Sequence, residues 1–417
     1  MNLDRRTFLK QLAVQAGSVP SLTPFSYGPT VLEASPDATT LLTDAKSRTL
    51  LVVQLAGGND GINTVVPYSQ QAYYQARPTL ALQPNEILQV DGEVGLHPSM
   101  SGLMDLFKSH NAAILQGVGY ANPNRSHFES TIIWESASTD NSLVGGWLGR
   151  YLDAAKRTDP KVTAVNMGGF VPLTLTGWTS RGLSLDSLNR FRVFPTPTAD
   201  TDTQDEDTIK LMNEVACTAC QEYSALVGAM MQAGLDATAA SDTIAQAAAN
   251  YKTNAKYPQD DFGNRMKLAA QIASSNLNPK IVYVELGGFD THTNQKGQQA
   301  NLLKTLSDGI AAFYQDMSDK GRANDTLTMT FSEFGRRVQE NGNRGTDHGT
   351  AEPLFVVGGK VSSNLYGTTP SLTDLDQGDI KYGIDFREFY ASVLDDWLGV
   401  DSTAVLGQSY NKLSVFQ

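Results

Sequence analysis

The sequence predicts an α/β protein built on a doubly wound, mostly parallel sheet with a helical insertion. Short apolar runs rich in β-branched residues end abruptly in glycine-rich loops, and helical patterns lie between several of them. A stretch of different composition, acidic and then alanine-rich, interrupts this alternation in the middle of the chain. Apolar runs alternating with helices indicate a sheet covered on both faces, in which ligands bind beyond the carboxyl ends of the strands.

The chain begins Arg5-Arg6-Thr7-Phe8-Leu9-Lys10, followed by residues 11–32 without a charge. Paired arginines, then Phe-Leu, then Lys, resemble the twin-arginine export signal, which implies a partner in the twin-arginine export machinery and a periplasmic or extracellular destination reached in the folded state. The uncharged stretch carries Pro20, Pro24 and Pro29 and is too polar and broken to remain as a membrane span. Residues 1–34 are therefore expected to form a signal segment that is removed.

The 417 residues carry 32 Lys plus Arg against 44 Asp plus Glu, a net charge of −12 that argues against nucleic acid as a partner. An apolar fraction of 41% with 18% charged residues argues equally against a disordered chain. Two cysteines cannot supply a disulfide framework, so a core must stabilise the fold.

Residues 49–56 predict the first buried strand, stopped by Gly57-Gly58-Asn59-Asp60-Gly61. The same pattern recurs at 112–119, 280–286, 326–331 and 353–357, with helices expected over 298–318 and 386–398. Residues 48–196 and 276–417 thus form the α/β core. Between them, 197–275 reads as an acidic linker followed by a helical insertion. Cys217 and Cys220 fall inside that helical stretch, where small buried residues or an incidental disulfide explain them better than a redox pair.

The chemistry-bearing residues concentrate in the loops beside these strands: Asp60; Arg125-Ser126-His127-Phe128; Asp290-Thr291-His292; Glu333-Phe334-Gly335-Arg336-Arg337; and Asp347-His348. Three of the five histidines lie here. Carboxylates and imidazoles on convergent strand ends suit a divalent ion, zinc or manganese first among them.

Leu55-Ala56-Gly57-Gly58-Asn59-Asp60-Gly61, Arg125-Ser126-His127-Phe128, Gly287-Gly288-Phe289-Asp290-Thr291-His292, Ser332-Glu333-Phe334-Gly335-Arg336-Arg337 and Gly345-Thr346-Asp347-His348-Gly349 resemble the twin-arginine-exported domain of unknown function 1501 family. The resemblance runs in order from about residue 48 to the C-terminus. That family resembles the alkaline phosphatase and sulfatase superfamily, which implies an alkaline phosphatase-like fold, one or two divalent metals at the strand ends and a hydroxyl or thiol nucleophile. Carried over by position, the resemblance implies Asp60, Asp290, His292 and His348 as metal ligands and Ser126 as nucleophile. Glu333-Phe334 takes the place of the superfamily's Asp-His pair, or Asp347-His348 is itself that pair. His292 follows Asp290 by two residues where four is usual, with Asn294 at the usual place, and Phe334 cannot bind a metal.

Simpler readings stand beside these. Asp60 in a glycine-rich turn can bond its own backbone, and Ser126 can cap the helix beginning after it. Arg336-Arg337 can be solvated surface or, with Arg125, can capture a phosphate or sulfate. His97 and His110 lie outside the motif loops and read as structural. The leading expectation is a metal-dependent hydrolase of phosphate or sulfate esters, small or polymeric, using Ser126, with Arg125 or Arg336 stabilising the developing charge. The alternative is a non-catalytic, metal-containing envelope protein that binds a surface polymer. A Ser/His/Asp hydrolase is third, because no Gly-x-Ser-x-Gly elbow surrounds Ser126.

Overall fold

Every one of the five apolar runs is a strand in the computed structural model, which describes residues 47–156, 163–185 and 251–417. In chain order the strands around the site are β1 (Thr49–Ala56), β2 (Ala112–Gly119), β3 (Ala164–Asn166), β4 (Leu183–Ser184), β5 (Ile281–Gly287), β6 (Thr326–Phe331), β7 (Arg336–Glu340), β8 (Thr346–His348), β9 (Glu352–Gly358), β10 (Leu365–Tyr366) and β11 (Ile384–Asp385). The expected signal segment at 1–34, the expected linker at 197–208, the stretch 209–250 and both cysteines lie outside the described residues. Among the described residues no helix is long and apolar enough to cross a membrane.

The main sheet has the order β10-β2-β9-β6-β1-β5-β3-β4, with β11 also pairing β2. β1 is central: Val52 faces Tyr283 of β5 on one side and Met329 of β6 on the other, both in parallel register. β9 alone runs antiparallel to its neighbours, pairing β2 and β6. Its reversal matters for the site. The parallel strands finish at one edge of the sheet, and β9 starts there, as its pair Glu352 and Val118 shows. The residues just before β9 therefore join the loops that follow β1, β2, β5 and β6.

Alternation along the strands sends successive side chains to opposite faces. Leu50, Val52, Leu115, Met329 and Leu354 share one core with Trp134, Trp147, Tyr151, Phe386 and Tyr390. These aromatics come from three helices, α1 (His127–Ser136), α2 (Trp147–Ala155) and α5 (Phe386–Ser392). Trp134 stacks on Phe386 with centroids 4.4 Å apart and Trp147 on Tyr390 at 4.1 Å, each pair adding about 0.5–1.5 kcal/mol beyond its buried area. The opposite face carries α3 (Asp261–Ala273) and α4 (Gln295–Asp319), which pack on each other. α4 buries Leu303, Leu306, Ile310, Phe313 and Met317, a helical stripe at spacings of three and four. The expected helix at 386–398 is α5 continued by a π-helical turn, Val393–Leu398, which Gly399 ends at φ 70°.

Candidate metal centre

The chain leaves β1 through Gly57 and Gly58 at φ 116° and 74°, left-handed conformations that favour glycine. A Cβ on Gly58 would lie 2.3 Å from the Phe334 ring, and one on Gly57 would lie 2.5 Å from the Asp290 amide. Close approach is the reason for both glycines. It lets the Gly57 amide donate to Glu333 Oε1 at 2.9 Å and the Asn59 amide donate to Ser332 Oγ at 3.0 Å, which ties the first loop to the loop after β6.

Four side chains converge above this junction. Asp290 Oδ1 lies 3.0 Å from His292 Nε2 and 3.4 Å from the Nε2 atoms of His127 and His348. The Nε2 atoms of His292 and His348 are 3.0 Å apart. Each imidazole has its other nitrogen engaged: His127 Nδ1 on Glu333 Oε1 at 2.7 Å, His292 Nδ1 on Asp347 Oδ1 at 3.0 Å, and His348 Nδ1 on the Arg125 carbonyl at 2.8 Å. A carbonyl only accepts, and so does an ionised carboxylate, so these bonds place the proton on Nδ1 and leave three Nε2 lone pairs facing one carboxylate. Three such acceptors around a fourth repel one another; Arg336 meets two of them, Asp290 Oδ1 at 2.7 Å and His292 Nε2 at 3.4 Å, and a cation among the others would offset the rest.

Ligand spacing agrees with a cation. A tetrahedral zinc ion with bonds of about 2.0–2.1 Å holds its ligand atoms roughly 3.3 Å apart. His127, Asp290 and His348 offer ligand atoms within 4.8 Å of one another, and His127 Nε2 is buried with no hydrogen-bond partner. Phe334 forms a wall behind them, its ring centroid 4.9 Å from that of His127 and 4.7 Å from that of His348. The donor set of His127, Asp290 and His348 therefore fits a divalent ion, and His292 Nε2 lies beside it, 3.0 Å from both Asp290 Oδ1 and His348 Nε2.

The remaining sequence candidates take other places. Glu333 is buried and orients His127, and Asp347 orients His292 while accepting from Asn341 Nδ2 at 3.1 Å. Arg336 is fully buried, with its donors directed to the carbonyls of Gly57, Gly58, Phe289 and Thr346, to Asp290 Oδ1 at 2.7 Å and to His292 Nε2 at 3.4 Å. It knits the loops and holds Asp290; its guanidinium is not presented to solvent. Asp60 is buried against Arg77 at 2.5 Å and accepts from Gln295 Nε2, while its Oδ1 has no partner. Arg125 pairs with Asp379. Ser126 sits at the N-cap of α1 with its hydroxyl making no capping bond, and it is exposed. Asn294 precedes α4 in the left-handed conformation and stands outside the cluster.

Electrostatics follow this layout. Burial raises the Asp290 carboxyl, but the Arg336 hydrogen bond and charge, with His292 and His127, outweigh it and hold the group below the usual carboxylate range. Asn341 chiefly, with His292, holds Asp347 low as well. Burial keeps His348 below the usual imidazole range, so it stays neutral and able to coordinate. His97 is buried elsewhere, pushed by desolvation down to about 4, and its Nδ1 accepts from the Ser99 amide at 3.1 Å.

His127, in the Arg125-Ser126-His127-Phe128 motif, is a candidate ligand that the sequence did not single out, because the resemblance places the chemistry on the adjacent serine.

Among solved structures the chain is similar to the C-terminal periplasmic domain of EcEptC from Escherichia coli in complex with Zn, at 11% identity and TM-score 0.35, covering 75% of this chain and 73% of that one. It is similar to the PsFucS1 sulfatase from Pseudoalteromonas sp. at 10% identity and TM-score 0.37, covering 91% and 75%. It is also similar to the alkaline phosphatase from the Antarctic bacterium TAB5 at 9% identity and TM-score 0.29, covering 75% and 92%. Scores this low assign neither a ligand nor a substrate to this chain. No curated protein matches the sequence. Residues 47–410, which span every loop of the centre, match the family described as Protein of unknown function (DUF1501), and the chain belongs to that family.

Proposed function

We propose that the protein is an exported, metal-dependent hydrolase of phosphate or sulfate esters in which Ser126 is the nucleophile. One observation carries the reading: three Nε2 lone pairs and Asp290 Oδ1 converge at 3.0–3.4 Å, and every imidazole is oriented by an acceptor behind it. Zinc suits three imidazoles and a carboxylate best. Bound there, a divalent ion supplies Lewis acidity that lowers the pKa of a nearby hydroxyl and offsets charge on a phosphoryl or sulfuryl oxygen.

The chain's own groups do the rest. Ser126 is flanked by two residues of the centre, since the Arg125 carbonyl holds His348 and His127 is itself a ligand. Its hydroxyl, uncapped and exposed, loses its proton and attacks phosphorus or sulfur as the ester bond breaks and the leaving alcohol takes up a proton. Water then cleaves the covalent ester. The first-turn amides of α1, which Ser126 directly precedes, carry a partial positive charge that suits the negative charge developing at its oxygen. Arg336 keeps Asp290 ionised and fixed, a positioning role. In this reading Asp60, with Oδ1 unpartnered, offers an oxygen for a second ion, and the Arg77 guanidinium opposes that ion.

That same Asp60–Arg77 pair favours a second reading, a non-catalytic envelope protein with one structural metal, because a guanidinium already neutralises a carboxylate the hydrolase would use. Natively exported, metal-replete protein assayed on aryl phosphates, phosphodiesters and aryl sulfates decides between them. Turnover that Ser126→Ala abolishes without loss of metal is the expected result. No turnover on the whole panel would establish the non-catalytic reading. Replacing Arg5 and Arg6 with lysine is expected to retain the protein in the cytoplasm.

A further inference from the structure

We propose that Arg125 and Arg337 form a subsite for a second anionic group, so that the preferred ligand of this centre is an oligoanionic ester, with one charged group at the metal and another on the arginine pair. As a statement about substrate it rests on the hydrolase reading; as a statement about binding it does not.

Both guanidiniums are organised by one carboxylate. Asp379 is fully buried, its Oδ2 accepting from Arg125 Nη2 and its Oδ1 lying 3.5 Å from Arg337 Nε. Asp379 sits on the hairpin that joins Leu375–Asp376 to Asp379–Ile380, anchored by the Thr350 hydroxyl on the Ile380 carbonyl. Two guanidiniums share this one buried carboxylate. The other acids that act on the group, Asp376 beside Asp379 and Asp347 beside Arg337, are exposed and screened by water.

The two arginines keep donors in reserve. Arg125 Nε, itself buried, is without a partner, and among the described residues Arg337 beyond Asp379 donates only to the Gln377 carbonyl, at 3.2 Å. Their side chains are 35% and 39% exposed, whereas neighbouring Arg336 is fully buried with its donors spent. A triad serving stability alone gains nothing by leaving planar donors part-exposed, and the desolvation of Asp379 is offset only by the hydrogen bond from Arg125 and the 3.5 Å ion pair with Arg337, which leaves Oδ1 without a hydrogen bond. Part-exposed guanidiniums held in place by a buried acid are arranged to bind phosphate or sulfate oxygens.

Position links the pair to the centre. The Arg125 carbonyl orients His348, the Arg337 charge contributes to holding Asp347 down, and Ser126 follows Arg125 directly. Neither guanidinium contacts His127, Asp290, His292 or His348, so the anion they bind is a different one from the group at the metal.

The test uses the full chain, metal-replete, titrated calorimetrically at low salt with a hexose monophosphate and the corresponding bisphosphate, and with the sulfated pair. The expected result is about tenfold or more tighter binding of the doubly charged ligand in at least one pair, an advantage that shrinks with salt. Arg337→Gln should collapse that ratio, and Arg337→Lys should restore most of it; melting temperature and metal content confirm that both variants fold. No preference in wild type for either pair, or the same ratio in wild type and Arg337→Gln, would overturn the inference. Arg337-dependent preference without turnover of any ester would overturn the hydrolase reading alone, and turnover without that preference would overturn this inference alone.

Discussion

Ser126 and Asp60 show how far apart two residues of equal standing in the sequence can lie in consequence. Ser126 occupies an N-cap position without using its hydroxyl as a cap. Ser126→Ala is therefore expected to shift stability by less than the usual cap cost of about 0.5–2 kcal/mol, while ester turnover falls by orders of magnitude; equal losses in denaturation midpoint and activity would contradict it. Asp60→Asn should do the reverse. It leaves the Arg77 guanidinium buried without its charge partner, a loss on the order of 3–5 kcal/mol, read from urea unfolding. His127→Ala is expected to release the metal, measured by elemental analysis, with a smaller effect on folding of the metal-free chain because the ring is part-exposed. The motif carrying His127 was legible, but its role was not: that depends on Glu333, 206 residues away, which turns its Nε2 toward Asp290.

At the scale of elements, the centre is a property of strand ends and of the tight turns that follow them. The run at 49–56 stops at Gly57-Gly58 because the next residues pass against Phe334 and Asp290, with no room for a Cβ. Gly58→Ala is expected to cost more than 1 kcal/mol through its positive φ and, by displacing Phe334, to weaken metal binding through His127 and His348; unchanged metal affinity would show that the Phe334 wall is dispensable. Arg336→Met removes the clamp across Gly57, Gly58, Phe289 and Thr346 and frees Asp290. Loss of such an outer partner typically costs about 10–100-fold in metal affinity, which competition with a chromogenic chelator measures.

The whole molecule carries its own titration. Glu135 is buried beneath the sheet near Tyr283, and desolvation pushes its carboxyl up to about 7. A carboxyl raised above its unfolded value contributes stability that is complete below the unfolded pKa, near 4.5, and lost as pH rises through the folded one. Stability should thus decline between about pH 4.5 and 7, by up to roughly 1.4 kcal/mol per pH unit from this group. Glu135→Gln should flatten that part of the melting temperature against pH; a profile identical to wild type would show that Glu135 titrates normally. Chelation of the metal should also lower the melting temperature, since an ion at about 1,000 times its dissociation constant stabilises the folded state by roughly 4 kcal/mol.

The strands at 49–56, 112–119 and 326–331 were legible in the sequence to the residue, and the long helix to within three residues at either end. Apolar runs and their glycine stops are local signals, readable without knowing what they pack against. Residues 164–166 and 183–184 gave no such signal, because strands of three and two residues are too short for a period. Only the tertiary structure decided that β9 runs against its neighbours and so delivers His348 to the edge where β1, β2, β5 and β6 end. It alone buried Arg336 and left Arg125 and Arg337 at the surface, though all three read alike as possible anion captors. Burial and hydrogen-bond partnership arise from contacts between residues 46 to 279 positions apart in this centre, and no local pattern encodes which of two neighbouring arginines meets the carbonyls of another loop.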